Sequence, residues 1–349
     1  MLSPFALYRL PHADQYVRVE GQTQELHAWT QLNGVAGFVV APFQLKQSQP
    51  IVVIRPDSVE TMDLPVDSDG CAVAGSSCYS EDVAPSVSYT IDFANFHSQL
   101  QRGTFQKIVL ARCADETLAA SIDPMALFFR ACSLYPRLFI ALVYTPQSGM
   151  WLTATPEILL EEQDGRWRTI ALAGTMRLTD DQLDGEGEKL TWSIKNIEEQ
   201  GIVATYIAEC LEQFTNDFHE EGPRTARAAN LVHLRSDFTF TLPDSQHIGD
   251  LIGRLHPTPA VCGLPKREAF EFIIHNEHTS RRYYSGFMGP LLLSSTHLYV
   301  SLRCMNIQEG CCHLYAGGGL LRDSVMEQEW QETEAKLETM RRCIATRRM

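Results

Sequence analysis

The stretch that most restricts how this chain can fold is His256-Pro257-Thr258-Pro259-Ala260, which runs on to Gly263-Leu264-Pro265. Two prolines within three residues fix φ twice and remove two backbone donors, so the segment reads as a stiff extended loop. Pro265 is placed to open a helix, whose first position has no use for an N–H. A rigid loop ahead of a helix N-terminus suits one wall of a pocket for a small anion. Further on, Glu329, Glu332 and Lys336 follow the three- and four-residue spacing of one helical face. On spacing alone the two acids are a solvated charge stripe or half of a hard-cation site.

At 349 residues the chain holds one large or two ordinary domains. With 44% hydrophobic and 21% charged residues it is ordinary globular material. A formal net charge of −14 argues against nucleic acid or an anionic membrane surface as the main partner. A small anion is compatible with that charge where a pocket gathers positive residues or a metal. The N-terminus lacks a basic segment followed by an apolar one, and no window approaches 18 uninterrupted apolar residues, so neither a signal peptide nor a membrane span is expected. The ten cysteines form no C-x-x-C pair, and Cys113, Cys132 and Cys304 fall in apolar runs as small hydrophobes. The expectation is a reduced, cytoplasmic protein.

Residues 1–84 alternate short apolar runs with polar turns and read as strands of a sheet edge or sandwich. Residues 90–102 read as a helix capped by Thr90 and stopped by Gly103, with Phe93, Phe96 and Leu100 on one face. Residues 106–113 are an apolar, β-branched run in which alternation places Lys107 with Val109, Ala111 and Cys113; by default such a lysine reaches out to water. Two hairpins follow, the first ending near Ala154-Thr155-Pro156-Glu157 and the second turning at Asp164-Gly165 and ending in Leu172-Ala173-Gly174-Thr175. Residues 67–70 and 180–188 read as loops, residues 189–214 as a long helix, and His275 with His278 as a solvated helix face.

The order of His256-Pro257-Thr258-Pro259-Ala260, Arg281-Arg282-Tyr283-Tyr284-Ser285-Gly286, Ala316-Gly317-Gly318-Gly319 and Glu329-Trp330-Gln331-Glu332 with Lys336 resembles the signature of the chorismate-utilising enzymes. These are the anthranilate, aminodeoxychorismate, isochorismate and salicylate synthases, and the resemblance runs from about Phe105 to the C-terminus. It implies an α+β chorismate-binding fold: a large antiparallel two-sheet core with outer helices. Residues 1–90 would be a variable, strand-rich part of one integrated domain, and residues 91–349 the catalytic region.

The resemblance also implies roles. Lys107 stands where the isochorismate and salicylate branches carry the base that activates water, and where the anthranilate branch typically carries glutamine. A lysine serving as base must act as the neutral amine, which burial and neighbouring positive charge favour. Glu157 corresponds to the general acid. Ala173 replaces the lysine nucleophile of aminodeoxychorismate synthases, which excludes covalent amine chemistry there; Leu172 would touch the substrate ring, with Gly174 and Thr175 beside it. In Lys195-Asn196-Ile197-Glu198-Glu199-Gln200, Glu199 corresponds to a direct magnesium ligand. Asn196 and Gln200 depart from the acidic residue and the histidine usual in that motif, and the loss of a charge predicts weaker metal binding. Glu332 would be the second direct ligand, Glu329 one acting through water, and Lys336 a neighbour on the carboxylate side. His233 would face the ring hydroxyl, Tyr284 and Arg303 a substrate carboxylate, and the Gly317 and Gly318 backbone an anion. Ala260 stands where salicylate synthases tend to have threonine. The expectation is therefore a magnesium-dependent isochorismate synthase, monomeric, with chorismate as its partner and neither nucleic acid nor membrane. A salicylate synthase and a catalytically silent chorismate binder are the alternatives, and the pathway served, menaquinone, siderophore or salicylate, is not legible.

Overall fold

The computed structural model describes residues 2–65, 84–117, 123–177, 191–228, 231–242 and 245–344. In chain order the strands begin with β1 (Phe5–Arg9), β2 (Gln15–Leu26), β3 (Gly37–Ala41) and β4 (Ile51–Asp63). After helix α1 (Val87–Gln101) and β5 (Lys107–Thr117) comes α2 (Pro124–Leu134), then β6 (Phe139–Thr145), β7 (Gly149–Thr155), β8 (Ile158–Gln163) and β9 (Arg166–Arg177). Helix α3 (Ile194–Leu211) precedes β10 (Phe218–Ala228) and β11 (Leu231–Phe240); α4 (Ile248–Leu255), the short β12 (Gly263–Leu264) and α5 (Lys266–Asn276) follow. The chain closes with β13 (Phe287–Leu291), β14 (Thr296–Val300), β15 (Cys304–Gln308), β16 (Cys311–Leu320) and α6 (Met326–Ile344).

These strands hydrogen-bond in one unbroken order, β10-β11-β9-β8-β14-β13-β3-β4-β2-β1-β6-β7-β15-β16-β5-β12. The sheet folds back on itself to make two layers. Phe139 on β6 stacks on Tyr299 of β14 at 4.3 Å although six strand steps separate them. Around that pair, Phe38, Val143, Trp151, Met288 and Tyr315 form a core enclosed by strands from both wings. The expected α+β, two-layer antiparallel core with outer helices is therefore present, built from a single continuous ladder.

Several local expectations need correcting. The N-terminal strands are not an edge: β3 pairs with β13 and β1 with β6, which places β1–β4 mid-sheet. Helix α1 starts three residues before Thr90, because the Ser86 hydroxyl caps the Tyr89 N–H at 3.3 Å and Thr90 instead donates to the Ser86 carbonyl at 3.0 Å. Helix α3 begins at Ile194, not 189, with Ser193 accepting from the Asn196 N–H at 3.2 Å. His275 and His278 are both exposed as expected, but His278 lies past the end of α5, where it binds Asp92, to which its backbone N–H also donates at 2.9 Å. The loops read at 67–70 and 180–188 lie outside the described residues.

Two helices carry acids to the sheet. α6 packs Leu337, Met340 and Cys343 against Phe128, Ala131 and Cys132 of α2. Its other anchor is Arg112 of β5, which stacks over Trp330 at 3.7 Å, donates to Thr333 Oγ1 at 2.7 Å and pairs with Glu334. α3 lies on β9 through Gln200, whose Oε1 accepts from the Ala173 N–H at 2.9 Å and whose Nε2 donates to the Ala171 carbonyl at 3.2 Å. No helix among the described residues is long and apolar enough to cross a membrane.

Candidate active site

The expected site residues converge where β5, β9 and β16 meet α3 and α6. A cavity of about 60 Å³ there is lined by Glu157, Leu172, Ala173, Gly174, Thr175, Glu199, His233, Ala260, Tyr284, Arg303, Gly317 and Lys336. Lys107, Gly318, Glu329 and Glu332 are not part of its wall; they stand behind it and are tied to it by ion pairs and by the β5–β16 ladder. A larger cavity lies elsewhere, and site chemistry rather than volume identifies this one.

Lys107 does not reach out to water. It is 0% exposed, and its Nζ lies 2.8 Å from Glu199 Oε1. A lysine nitrogen buried this deeply needs a polar partner, and α3 supplies the Glu199 carboxylate. The second oxygen of Glu199 accepts from the Gly174 N–H at 3.2 Å. Burial alone would raise the Glu199 carboxyl, but Lys107, with Lys195 and Lys336 beyond it, holds it below the ordinary range. Gly174 can present its N–H this way because it sits at a bulge in the β9–β11 ladder with φ +66°, where glycine carries no steric cost.

Glu157 follows β7 immediately. Its backbone is clamped between the Thr155 hydroxyl, 3.3 Å from its N–H, and the Val300 N–H, 2.9 Å from its carbonyl. The carboxyl is buried, and burial pushes it up to about 7 against the opposing pull of Lys107, Lys336, Arg303 and the Thr258 hydroxyl. A carboxyl that is half protonated near neutrality is suited to giving and taking a proton.

Elsewhere in the cavity wall Arg303 donates from Nη2 to His233 Nε2 at 2.6 Å, and His233 donates from Nδ1 to the Gly174 carbonyl at 3.2 Å. That chain of bonds fixes the tautomer. Burial, with Arg303 and Lys336 nearby, drives His233 well below its usual value, so the ring is neutral and holds the guanidinium in place. Arg303 sits in the left-handed region at φ 45°, uncommon for a residue with a Cβ and found where surrounding structure enforces it. Tyr284 closes another side, its hydroxyl 2.7 Å from where a Cβ on Gly317 would stand. Lys336 donates to the Gly317 carbonyl at 2.9 Å and to Glu332 Oε1 at 2.6 Å.

Three carboxylates gather over the glycine run of β16. A Cβ on Gly318 would lie 3.2 Å from Glu329 Oε2 and 4.0 Å from Glu332 Oε1, and one on Gly319 only 2.2 Å from Glu199 Oε1. Glu329 Oε2 is buried without a hydrogen-bond partner, and burial with Glu332 beside it raises the Glu329 carboxyl despite its pairing with Lys195. Three hard oxygen donors, one of them orphaned, in a cradle that a side chain would fill fit a hard divalent cation. The solvated-stripe alternative for Glu329 fails, since the residue is 1% exposed. A different trio, Cys113, Asp115 and His313, has its ligand atoms within 4.8 Å of one another on β5 and β16.

Sequence reasoning missed Lys195 and Thr258. Lys195 stands four residues before Glu199 on α3, a spacing that signalled a shared face. Thr258 carries no such signal, because its relation to Glu157 is made only by the fold.

A family model described as chorismate binding enzyme matches residues 67–345 of the chain. Isochorismate synthase MenF of Escherichia coli is 32% identical over 244 residues, covering 69% of this chain and 56% of that protein. Isochorismate synthase EntC of Escherichia coli is 32% identical over 238 residues, covering 67% and 61% respectively. The chain thus spans only about three fifths of the length of these curated relatives. The solved structure of MenF, the menaquinone-specific isochorismate synthase from Escherichia coli, aligns with a TM-score of 0.79 at 23% identity over 98% of this chain and 89% of that one.

Proposed function

The chain belongs to the chorismate binding enzyme family, and from that premise we propose that it is an isochorismate synthase, interconverting chorismate and isochorismate. The observation that carries this reading is the coexistence of a carboxyl at 157 in the cavity wall, held near 7, and a fully buried lysine at 107 directly behind that wall, paired with the wall residue Glu199. Hydration at one ring carbon with loss of hydroxide at another needs one proton taken and one given, and a lysine–carboxyl pair supplies both.

In the forward direction Lys107, acting as the neutral amine, takes a proton from the water that attacks C2 and becomes the ammonium. Glu157 gives a proton to the C4 hydroxyl, which leaves as water while the double bonds shift around the ring. Atoms and charge balance, and the product has the mass of the substrate. Each group finishes in the state the reverse reaction requires, so the conversion runs both ways. Arg303, fixed by His233, offers its planar fork to a substrate carboxylate, and Tyr284 stands beside it. Leu172 and Ala173 give the ring an apolar floor. Glu199 and Glu332 directly, and Glu329 through water, are the residues that would hold magnesium, which supplies positive charge for the ring carboxylate when bound. The small Ala260 side chain at the wall favours stopping at isochorismate over eliminating pyruvate. Lys107→Ala tests the assignment: chorismate binding is retained and turnover is lost, whereas full residual turnover refutes it.

A further inference from the structure

A larger cavity, about 670 Å³, lies between α3, α4, α5 and the turn after β3, and shares no lining residue with the candidate active site. Its volume falls in the range of small-molecule sites. Trp29, Phe43, Tyr206 and Phe270 supply aromatic walls, with the Phe43 and Phe270 rings 5.3 Å apart. Lys266 is the charged group set among them. Two of its three N–H bonds are taken by the Arg254 and His256 carbonyls, at 2.7 and 2.9 Å, and its Nζ lies 5.5 Å from the Tyr206 ring centre. No acid is among the groups acting on it, and burial pushes its ammonium down to about 8. A half-buried cation satisfied only by carbonyls and a ring has room for an anion. Exposed Arg254 and Arg267 add positive charge at the rim, while Glu209 and Glu271 oppose a second negative charge.

Two elements run from this cavity to the other. α3 carries Tyr206 here and Glu199 there. In the stiff loop, Pro257 is a wall of this cavity and Ala260, three residues on, a wall of the other.

We propose that this cleft is a second ligand site, for a small aromatic monocarboxylate, coupled to the Glu157 cavity through α3 and the 256–260 loop. Only the coupling rests on the proposed function.

The test titrates 2-naphthoate into the whole protein and follows tryptophan fluorescence, with Trp29→Phe identifying the reporter. The expected result is saturable quenching that Trp29→Phe removes, weakened roughly tenfold by Lys266→Met and several-fold by the rim variant Arg267→Glu. The neutral 2-naphthamide is expected to bind the parent and Lys266→Met alike. No saturation at millimolar 2-naphthoate, or equal affinity in the parent and both charge variants, overturns the site. For the coupling, saturating chorismate with magnesium is expected to shift the 2-naphthoate Kd about threefold or more, with the reciprocal shift in chorismate affinity. An unchanged Kd while chorismate binds overturns the coupling. A protein that binds 2-naphthoate as described but neither binds nor converts chorismate refutes the proposed function and leaves the site standing.

Discussion

Lys107 Nζ and Glu199 Oε1 stand 2.8 Å apart, so the proposed base is paired with a buried carboxylate that is itself a proposed metal ligand. The same arrangement recurs twice: Lys195 pairs with Glu329 and Lys336 with Glu332. Each acid gathered for a cation has a lysine of its own. Any divalent cation entering the cluster competes with a lysine nitrogen for each of these carboxylates.

That competition is measurable without turnover. Lys107→Ala is expected to bind magnesium several-fold more tightly than the parent by calorimetry, because Glu199 loses its internal partner. Weaker or unchanged affinity would mean that Lys107 and the cation do not contend for Glu199.

Glu157 sets the pH behaviour. With its carboxyl near 7, the protonated acid is lost as pH rises through neutrality, so the forward rate falls on the alkaline side of about pH 7. Glu157→Gln is expected to lower turnover by roughly a hundredfold or more. Stability moves in a defined direction too. The folded carboxyl titrates above its ordinary 4.5, so the folded state binds the extra proton, and stability falls as pH rises from about 4.5 to about 7. Glu157→Gln is therefore more stable than the parent at pH 8, by on the order of 3 kcal/mol at most, and not at pH 4. Denaturant titrations at the two pH values check this, and equal differences at both would contradict the buried acid.

Two glycines give opposite outcomes. A Cβ on Gly319 would come within 2.2 Å of Glu199 Oε1 and 2.8 Å of Lys107 Cε, so Gly319→Ala pushes the pair apart and lowers both stability and magnesium affinity. Gly201 lies on the exposed side of α3 with nothing within 4 Å of the added atom, and Gly201→Ala stabilises by about 0.5–1 kcal/mol. Thermal melts of the two proteins separate these effects.

The cavity wall was legible from sequence because its chemistry is written in short motifs. Glu157, His233, Tyr284 and Arg303 each sit at a strand end or turn whose neighbours carry the family pattern, and the fold brings all four to one cavity. Placement in the sheet was not legible. A period-two alternation says that residues 5–9 form a strand but not that its neighbours are β2 and β6, which long-range packing decides. The start of α1 was misplaced because two hydroxyls, Ser86 and Thr90, compete for the cap, and geometry chose the earlier one. The contact of His278 with Asp92 was out of reach for a similar reason: the two are 186 residues apart. The pairing of Lys195 with Glu329 spans 134 residues and two helices, beyond the reach of any local spacing rule.

The central claim is tested most directly by incubating the purified protein with chorismate and magnesium and resolving the products by chromatography and mass. The account predicts an equilibrium mixture of chorismate and an isomer of identical mass, reached from either side. Salicylate with stoichiometric pyruvate above the spontaneous background would contradict the role given to Ala260, and no conversion at all would contradict the proposed enzyme.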